Sequence, residues 1–131
     1  MTNFLFRVAV IGLVLFLFKT STDKGQKAFD RAVNWGRGVM VGADLSTFSK
    51  EINTEYAFSG NWPRDFPAWI RENAKRNDGS DPAADPWGQT IRFTVPRNAP
   101  AGTFELRSCG PDRKCDTPDD LVHRERAAKF D

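Results

Sequence analysis

A nearly continuous apolar run near the amino terminus constrains this chain more than any other sequence feature. Residues 4–18 (FLFRVAVIGLVLFLF) contain one charged side chain, Arg7, and show no amphipathic period. As a helix the run would be about 22 Å long at roughly 1.5 Å per residue, against roughly 30 Å for the hydrocarbon core of a bilayer. We therefore predict a membrane segment over residues 1–22, either an uncleaved anchor helix or a removable signal peptide.

The residues that follow this run favour the anchor over the signal peptide. Signal-peptide cleavage needs small residues in an Ala-x-Ala-like pattern, whereas residues 19–24 (KTSTDK) are polar and charged. In both cases residues 23–131 form an extracytoplasmic domain. The run thus predicts a single membrane crossing, with this domain outside the cytoplasm.

Composition excludes several classes of function. The 131-residue chain has a net charge of only +2 and scattered basic residues, which argues against nucleic-acid binding. It has a single histidine, His123, and no cluster of histidines and cysteines, which argues against a zinc site. Because no nucleophile stands in a plausible set with a general base, we expect no enzymatic activity.

Hydrophobic periodicity predicts helices in the middle of the chain. The apolar face of the main amphipathic helix would be formed by Leu45, Phe48, Ile52 and Tyr56. Glycines at residues 36–42 predict a kink or break in this helix, because each costs roughly 1 kcal/mol relative to alanine in a helix interior. Residues 65–73 predict a second, short helix, with Pro67 in its first turn.

Two segments alternate between apolar and polar residues, as strands do. They are residues 90–95 and 103–107, and residues 121–131 are predicted to be a short terminal helix or frayed. Helices followed by strands are typical of the α+β class. The predicted fold is an N-terminal hydrophobic and amphipathic helix packed on a small antiparallel sheet.

The segment 108–121 (SCGPDRKCDTPDDL) gathers four aspartates within a short, proline-stiffened loop. Crowded carboxylates repel one another unless a cation lies among them, and Ca²⁺ prefers carboxylate and carbonyl oxygens. The loop is therefore either a calcium site or a solvated acidic turn. Cys109 and Cys115 are either free thiols or a disulfide, which would stabilise the fold by roughly 2 kcal/mol in an oxidising compartment.

Three stretches in order resemble one family, the type II secretion system major pseudopilins and the type IV pilin-like proteins. The first is a helix that runs into residues 56–63 (YAFSGNWP), and the second is residues 85–88 (DPWG) ahead of a strand. The third combines residues 102–112 with residues 117–121, similar to the family's final strand and calcium loop. The resemblance covers about residues 40–122.

This resemblance implies a pilin-like fold with a C-terminal calcium-binding loop. In the family one Ca²⁺ orders the C-terminal segment for assembly. The implied side-chain ligands are Asp112, Asp119 and Asp120, and the implied backbone carbonyl ligands are Cys109, Thr117 and His123. Asp116 has no counterpart among these ligands.

The resemblance also implies a location and a function. The location is the inner membrane, crossed once, with the C-terminal domain in the periplasm, and the function is in protein secretion. The chain would be a membrane-anchored structural subunit or accessory of a type II secretion or type IV pilus-like machine, with subunits of that machine and further copies of itself as partners. The alternative is a stand-alone, membrane-anchored periplasmic binding module that does not polymerise. The N-terminus is atypical for the family: it lacks the prepilin cleavage motif, and Leu17 stands where the fifth mature residue would be glutamate.

Overall fold

The computed structural model describes the backbone of residues 2–128 and the side chains of residues 23–128. This part of the chain contains two helices and three strands, in the order α1 (Thr2–Ser59), α2 (Phe66–Asn73), β1 (Arg92–Thr94), β2 (Thr103–Ser108) and β3 (Leu121–Arg126). A long helix with a small antiparallel sheet confirms the α+β prediction.

The chain divides into two compact units, Met1–Gly36 and Arg37–Asp131. The predicted membrane segment, residues 1–22, lies outside the residues whose side chains are described. Among the described residues, no helix combines the length and the apolar character that a membrane crossing requires. The second unit contains α2 and the whole sheet.

Helix α1 continues through Gly36, Gly38 and Gly42, so the predicted break at residues 36–42 is wrong. A glycine costs a helix only about 1 kcal/mol and, unlike proline, keeps its backbone N–H, so it weakens the helix without ending it. From Val41 onward, one face of the helix is buried in the second unit. The buried apolar side chains of this face are Val41, Leu45, Phe48 and Ile52.

Helix α2 begins and ends close to its predicted bounds. The Asp65 carboxylate accepts a hydrogen bond from the backbone N–H of Ala68 at 3.0 Å, which caps the first turn. Pro67 lies in that turn, where its missing N–H costs nothing. Phe66 and Ile70 point into the core and fix the helix against the rest of the unit.

The sheet is antiparallel with the strand order β1-β2-β3. Strand β3 pairs with β2 along six residues, from Thr103 opposite Arg126 to Ser108 opposite Leu121. The prediction of a terminal helix or frayed tail after residue 121 is therefore wrong. Its sequence, LVHRER, has too few apolar residues for a visible alternation, and β3 is held by the backbone ladder and by charged side chains instead.

One core cluster joins α1, α2 and the sheet within the second unit. The turn after α1 contributes to it through Trp62, whose ring stacks on Tyr56 at 3.9 Å between centroids and lies 5.4 Å from Phe104. The buried members of the cluster are Val41, Leu45, Phe48, Ile52, Phe66, Ile70, Ala83, Trp87, Ile91, Phe104, Leu106 and Ala127.

Candidate functional site

The acidic loop predicted from the sequence is the connection between β2 and β3. Because Ser108 lies opposite Leu121 in the sheet, the two ends of the loop are adjacent. We call residues 109–120 the acidic loop. Its geometry is set by the disulfide, by one glycine and by a network of charged side chains.

A disulfide joins Cys109 to Cys115, with 4.4 Å between the Cα atoms. This is the disulfide that the sequence left open as an alternative to free thiols. Cys109 is buried at the end of β2, so the bond ties the middle of the loop to the sheet. A bridge of this kind reduces the number of conformations open to the loop when the protein unfolds.

Gly110 brings the beginning of the acidic loop against its end. Its φ of 70° lies in the left-handed region, and a Cβ atom there would clash with the carbonyl oxygen of Asp119. The same Cβ would lie 3.1 Å from Asp119 Oδ2. The carbonyl oxygen and Oδ2 of Asp119 therefore lie where any other residue at position 110 would place its Cβ atom.

Asp85, in the DPWG stretch, fixes the start of the acidic loop through a hydrogen bond from Ser108. Its buried carboxylate accepts hydrogen bonds from the backbone N–H groups of Trp87 at 3.0 Å and Gln89 at 2.8 Å. Its other oxygen accepts a bond of 2.6 Å from the Ser108 hydroxyl, directly before Cys109. The turn and the loop are thus coupled through one carboxylate.

Thr117 and two backbone N–H groups hold the carboxylates on one side of the loop. The Thr117 hydroxyl donates to Asp119 Oδ1 at 2.5 Å, and Asp119 Oδ2 accepts from the backbone N–H of Asp112 at 3.1 Å. The Asp112 carboxylate itself accepts from the backbone N–H of Lys114 at 2.7 Å. The bond from the Thr117 hydroxyl, followed by the bond from the backbone N–H of Asp112, lowers the pKa of Asp119 below its usual value.

Arg107 holds the carboxylates on the other side. Its Nη1 atom lies 2.6 Å from Asp116 Oδ1 and 2.9 Å from Asp120 Oδ2, and its Nη2 atom lies 2.8 Å from Glu105 Oε1. Burial acts to raise the pKa of Asp120, but hydrogen bonds from the backbone N–H of Asp116, from Thr117 and from Arg107 outweigh it, and the pKa is lowered. Asp119 and Asp120 therefore remain charged at neutral pH.

The predicted calcium ligands occupy different parts of this network. Asp112 and Asp119 meet at the Gly110 turn, whereas Asp120 is turned toward Arg107. His123 lies beyond the loop in β3, with its Nε2 atom 3.2 Å from Glu125 Oε2. Among the described residues, no three carboxylate, histidine or cysteine side chains are grouped as a metal site would require.

The chemistry of the donor set nevertheless fits a hard cation. Its side-chain groups are carboxylates, and the carbonyl and carboxylate oxygens of Asp119 both face the open side of Gly110. Oxygen ligands of these two kinds are the ones that Ca²⁺ binds. The calcium site stays a prediction.

Sequence reasoning missed Arg107, and it predicted Thr117 as a carbonyl ligand without its hydroxyl contacts to Asp119 and Asp120. Arg107 precedes the loop by two positions on a strand with alternating residues, and its partners are up to 13 positions away. The register of β2 against β3 had to be known before these partners could be matched. The visible signal was a strand that ends in Glu105 and Arg107 directly before four aspartates.

A second polar cluster joins α1 to β3. The Glu125 carboxylate accepts hydrogen bonds from the Ser49 hydroxyl and from Asn53 Nδ2, the latter at 2.7 Å. Ser49 is fully buried, so the cluster replaces apolar packing at this point of the helix–sheet interface. Through these bonds the cluster docks β3 on α1.

Comparisons with protein-family models, with curated proteins and with solved structures found no match to this chain.

Proposed function

We propose that this chain is a membrane-anchored, pseudopilin-like structural subunit or accessory of a type II secretion or type IV pilus-like machine. Residues 1–22 anchor it in the inner membrane, and residues 23–131 form its periplasmic domain. A calcium ion stabilises its acidic loop, and its partners are subunits of the machine and other copies of the chain.

The observation that carries this proposal is the combination of a long helix, a small sheet and a disulfide-closed acidic loop before the last strand. Helix α1 buries one face from Val41 onward and leaves large apolar side chains in water before that point. Phe29, Trp35 and Met40 are 64%, 75% and 64% exposed. In the proposed assembly these side chains contact other subunits, since apolar surface that forms a contiguous patch marks contacts between proteins.

The disulfide supports the periplasmic location. Bonds between cysteines persist in the periplasm and are rare in the reducing cytoplasm. Cys109 and Cys115 are the only cysteines of the chain, and they are bonded to each other. This arrangement agrees with a domain that folds after leaving the cytoplasm.

The calcium part of the proposal is based on the donor chemistry of the acidic loop. The ion would supply positive charge among the aspartates and draw the Gly110 turn and the end of the loop together. The ligand set is the one that the resemblance implies: the carboxylates of Asp112, Asp119 and Asp120 and the carbonyls of Cys109, Thr117 and His123.

Photo-crosslinking of the full chain in membranes tests the assembly. A photoreactive phenylalanine analogue replaces Trp35 on α1, and a matched variant carries it at Asn77, which is exposed on the loop after α2. We expect crosslinks to a second copy or to a secretion-machine subunit from position 35 and none from position 77. Mass spectrometry of the mature N-terminus would show whether the anchor is retained or cleaved. An anchored chain without crosslinks from position 35 would instead indicate the stand-alone binding module.

Thermal unfolding in calcium and in EGTA tests the ion. At a hundredfold excess over the Kd, calcium should stabilise the fold by roughly 2.7 kcal/mol. Asp119→Ala should abolish this increase, whereas Asp78→Ala, which removes an exposed carboxylate outside the acidic loop, should retain it. An equal melting temperature in calcium and in EGTA for the unmodified protein would contradict the calcium site.

A further inference from the structure

Arg107 is the one described cation that contacts both the sheet and the carboxylates of the acidic loop. It lies in β2, directly before Ser108, where the strand ends. Its guanidinium group binds Glu105 on its own strand through Nε at 3.2 Å and Nη2 at 2.8 Å. Its Nη1 atom reaches Asp116 and Asp120, so one side chain spans the loop.

The burial of these groups shows why the contact matters. The Asp120 side chain is 5% exposed and the Glu105 side chain 9% exposed, and two carboxylates so far from water require a positive partner. Arginine suits this position better than lysine, because its planar group can donate to several carboxylates at once in fixed directions. Asp116 is 80% exposed and adds an outer contact to the same nitrogen.

We propose that Arg107 is a positioning residue that closes the acidic loop by taking the place of a metal ion. Its guanidinium group supplies the positive charge that the buried carboxylates need, and it does so from the sheet. The loop of this chain is therefore closed in the absence of calcium. Lys114 and Arg113, which lie within the loop sequence, make no described ion pair with these carboxylates.

A consequence follows for calcium, and this part rests on the proposed function. Asp120 is both a partner of Arg107 and an implied calcium ligand, so the guanidinium and the ion compete for one carboxylate. Competition of this kind is reciprocal: the guanidinium group lowers the affinity for the ion, and removal of that group raises the affinity.

Hydrogen exchange of residues 109–120 in EGTA tests the positioning role. Arg107→Gln removes the guanidinium group and its charge and leaves a shorter, polar side chain. The matched control is Arg124→Gln, because Arg124 binds the same Glu105 at 2.8 Å and makes no described contact with the acidic loop. We expect the loop amides of Arg107→Gln to exchange at least tenfold faster than in the unmodified protein, and those of Arg124→Gln to change less than twofold.

Charge rescue and calcium titration distinguish this role from general support of the fold. Arg107→Lys restores a positive charge and should recover part of the lost protection. In calorimetric titrations, Arg107→Gln should bind Ca²⁺ about five- to tenfold more tightly than the unmodified protein, as expected for a competing cation. A general loss of structure would weaken calcium binding.

The outcomes separate the two proposals. Unchanged exchange of the loop in Arg107→Gln overturns the role of Arg107. Calcium that binds the unmodified protein, and binds Arg107→Gln equally or more weakly, overturns the competition between the guanidinium group and the ion. Faster exchange in Arg107→Gln together with no calcium binding in any variant supports the positioning role and overturns the calcium part of the proposed function.

Discussion

Gly110 is the residue at which the backbone of the acidic loop is most restricted. Its positive φ and the carbonyl oxygen of Asp119 act together, since the first disfavours any side chain and the second leaves no room for one. Gly79 also has a positive φ, 74°, but no atom lies within 4 Å of the place where its Cβ would be. Substitution of the two glycines therefore distinguishes the cost of backbone strain from the cost of the close contact.

We predict that Gly110→Ala destabilises the fold substantially more than Gly79→Ala. The strain of a left-handed alanine costs about 1–2 kcal/mol in both variants, and the contact with Asp119 adds about 1–3 kcal/mol in the first alone. Urea unfolding of the two variants measures the difference. Equal free energies of unfolding would mean that the loop moves freely away from Gly110.

Glu105 makes the stability of the domain dependent on pH. Ion pairs with Arg107, and then with Arg124, lower the pKa of Glu105 in the folded protein below its ordinary value of 4.5. A carboxylate with a lowered folded pKa contributes stability above the unfolded pKa, and that contribution is lost as the pH falls through the folded pKa. We expect Glu105→Gln to be less stable at neutral pH and to lose less stability on acidification. Urea midpoints measured from neutral pH to below the ordinary value test this, and parallel profiles for the two proteins would contradict it.

At the scale of elements, the sequence predicted the structure wherever apolar residues are periodic. Helix α2 and strands β1 and β2 show their periods clearly, and the face of α1 that contains Leu45, Phe48 and Ile52 is buried as expected. The glycines of α1 were misread because each weakens a helix without removing a backbone hydrogen bond. The charged strand β3 was misread because its structure depends on partners that are distant in sequence, and the same is true of the contacts of Arg107.

Strand β3 gives the clearest case, because its docking on α1 depends on Glu125. We predict that Glu125→Ala destabilises the fold by about 2–4 kcal/mol, since it leaves the buried hydroxyl of Ser49 and the amide of Asn53 without their acceptor. Arg124→Ala, on the neighbouring and more exposed position, should cost less than about 1 kcal/mol. Hydrogen exchange should show faster exchange in β3 for the first variant alone. Equal protection of β3 in the two variants would assign its docking to the backbone ladder.

At the scale of the whole molecule, the core is confined to one of the two compact units. Every buried apolar side chain in the described part of the chain belongs to Val41 or to a later residue, and the unit boundary lies between Gly36 and Arg37. The disulfide, the acidic loop and both polar clusters belong to the same unit. Residues 23–40 of α1 therefore hold no buried apolar side chain, and the proposed function places assembly contacts on this segment.

This distribution predicts where the chain can be shortened. A fragment of residues 37–131 retains the whole described core and should unfold cooperatively, with a free energy within about 1 kcal/mol of that of residues 23–131. A fragment of residues 46–131 loses Val41 and Leu45, which are 1% and 2% exposed. Burial of two such side chains contributes about 1.5–3 kcal/mol each, a large part of the roughly 5–15 kcal/mol that stabilises a typical domain.

Denaturant unfolding followed by tryptophan fluorescence should therefore show a sharp transition for the longer fragment and a weak or absent one for the shorter. A sharp transition for residues 46–131 would mean that the first buried turns of α1 are dispensable to the core.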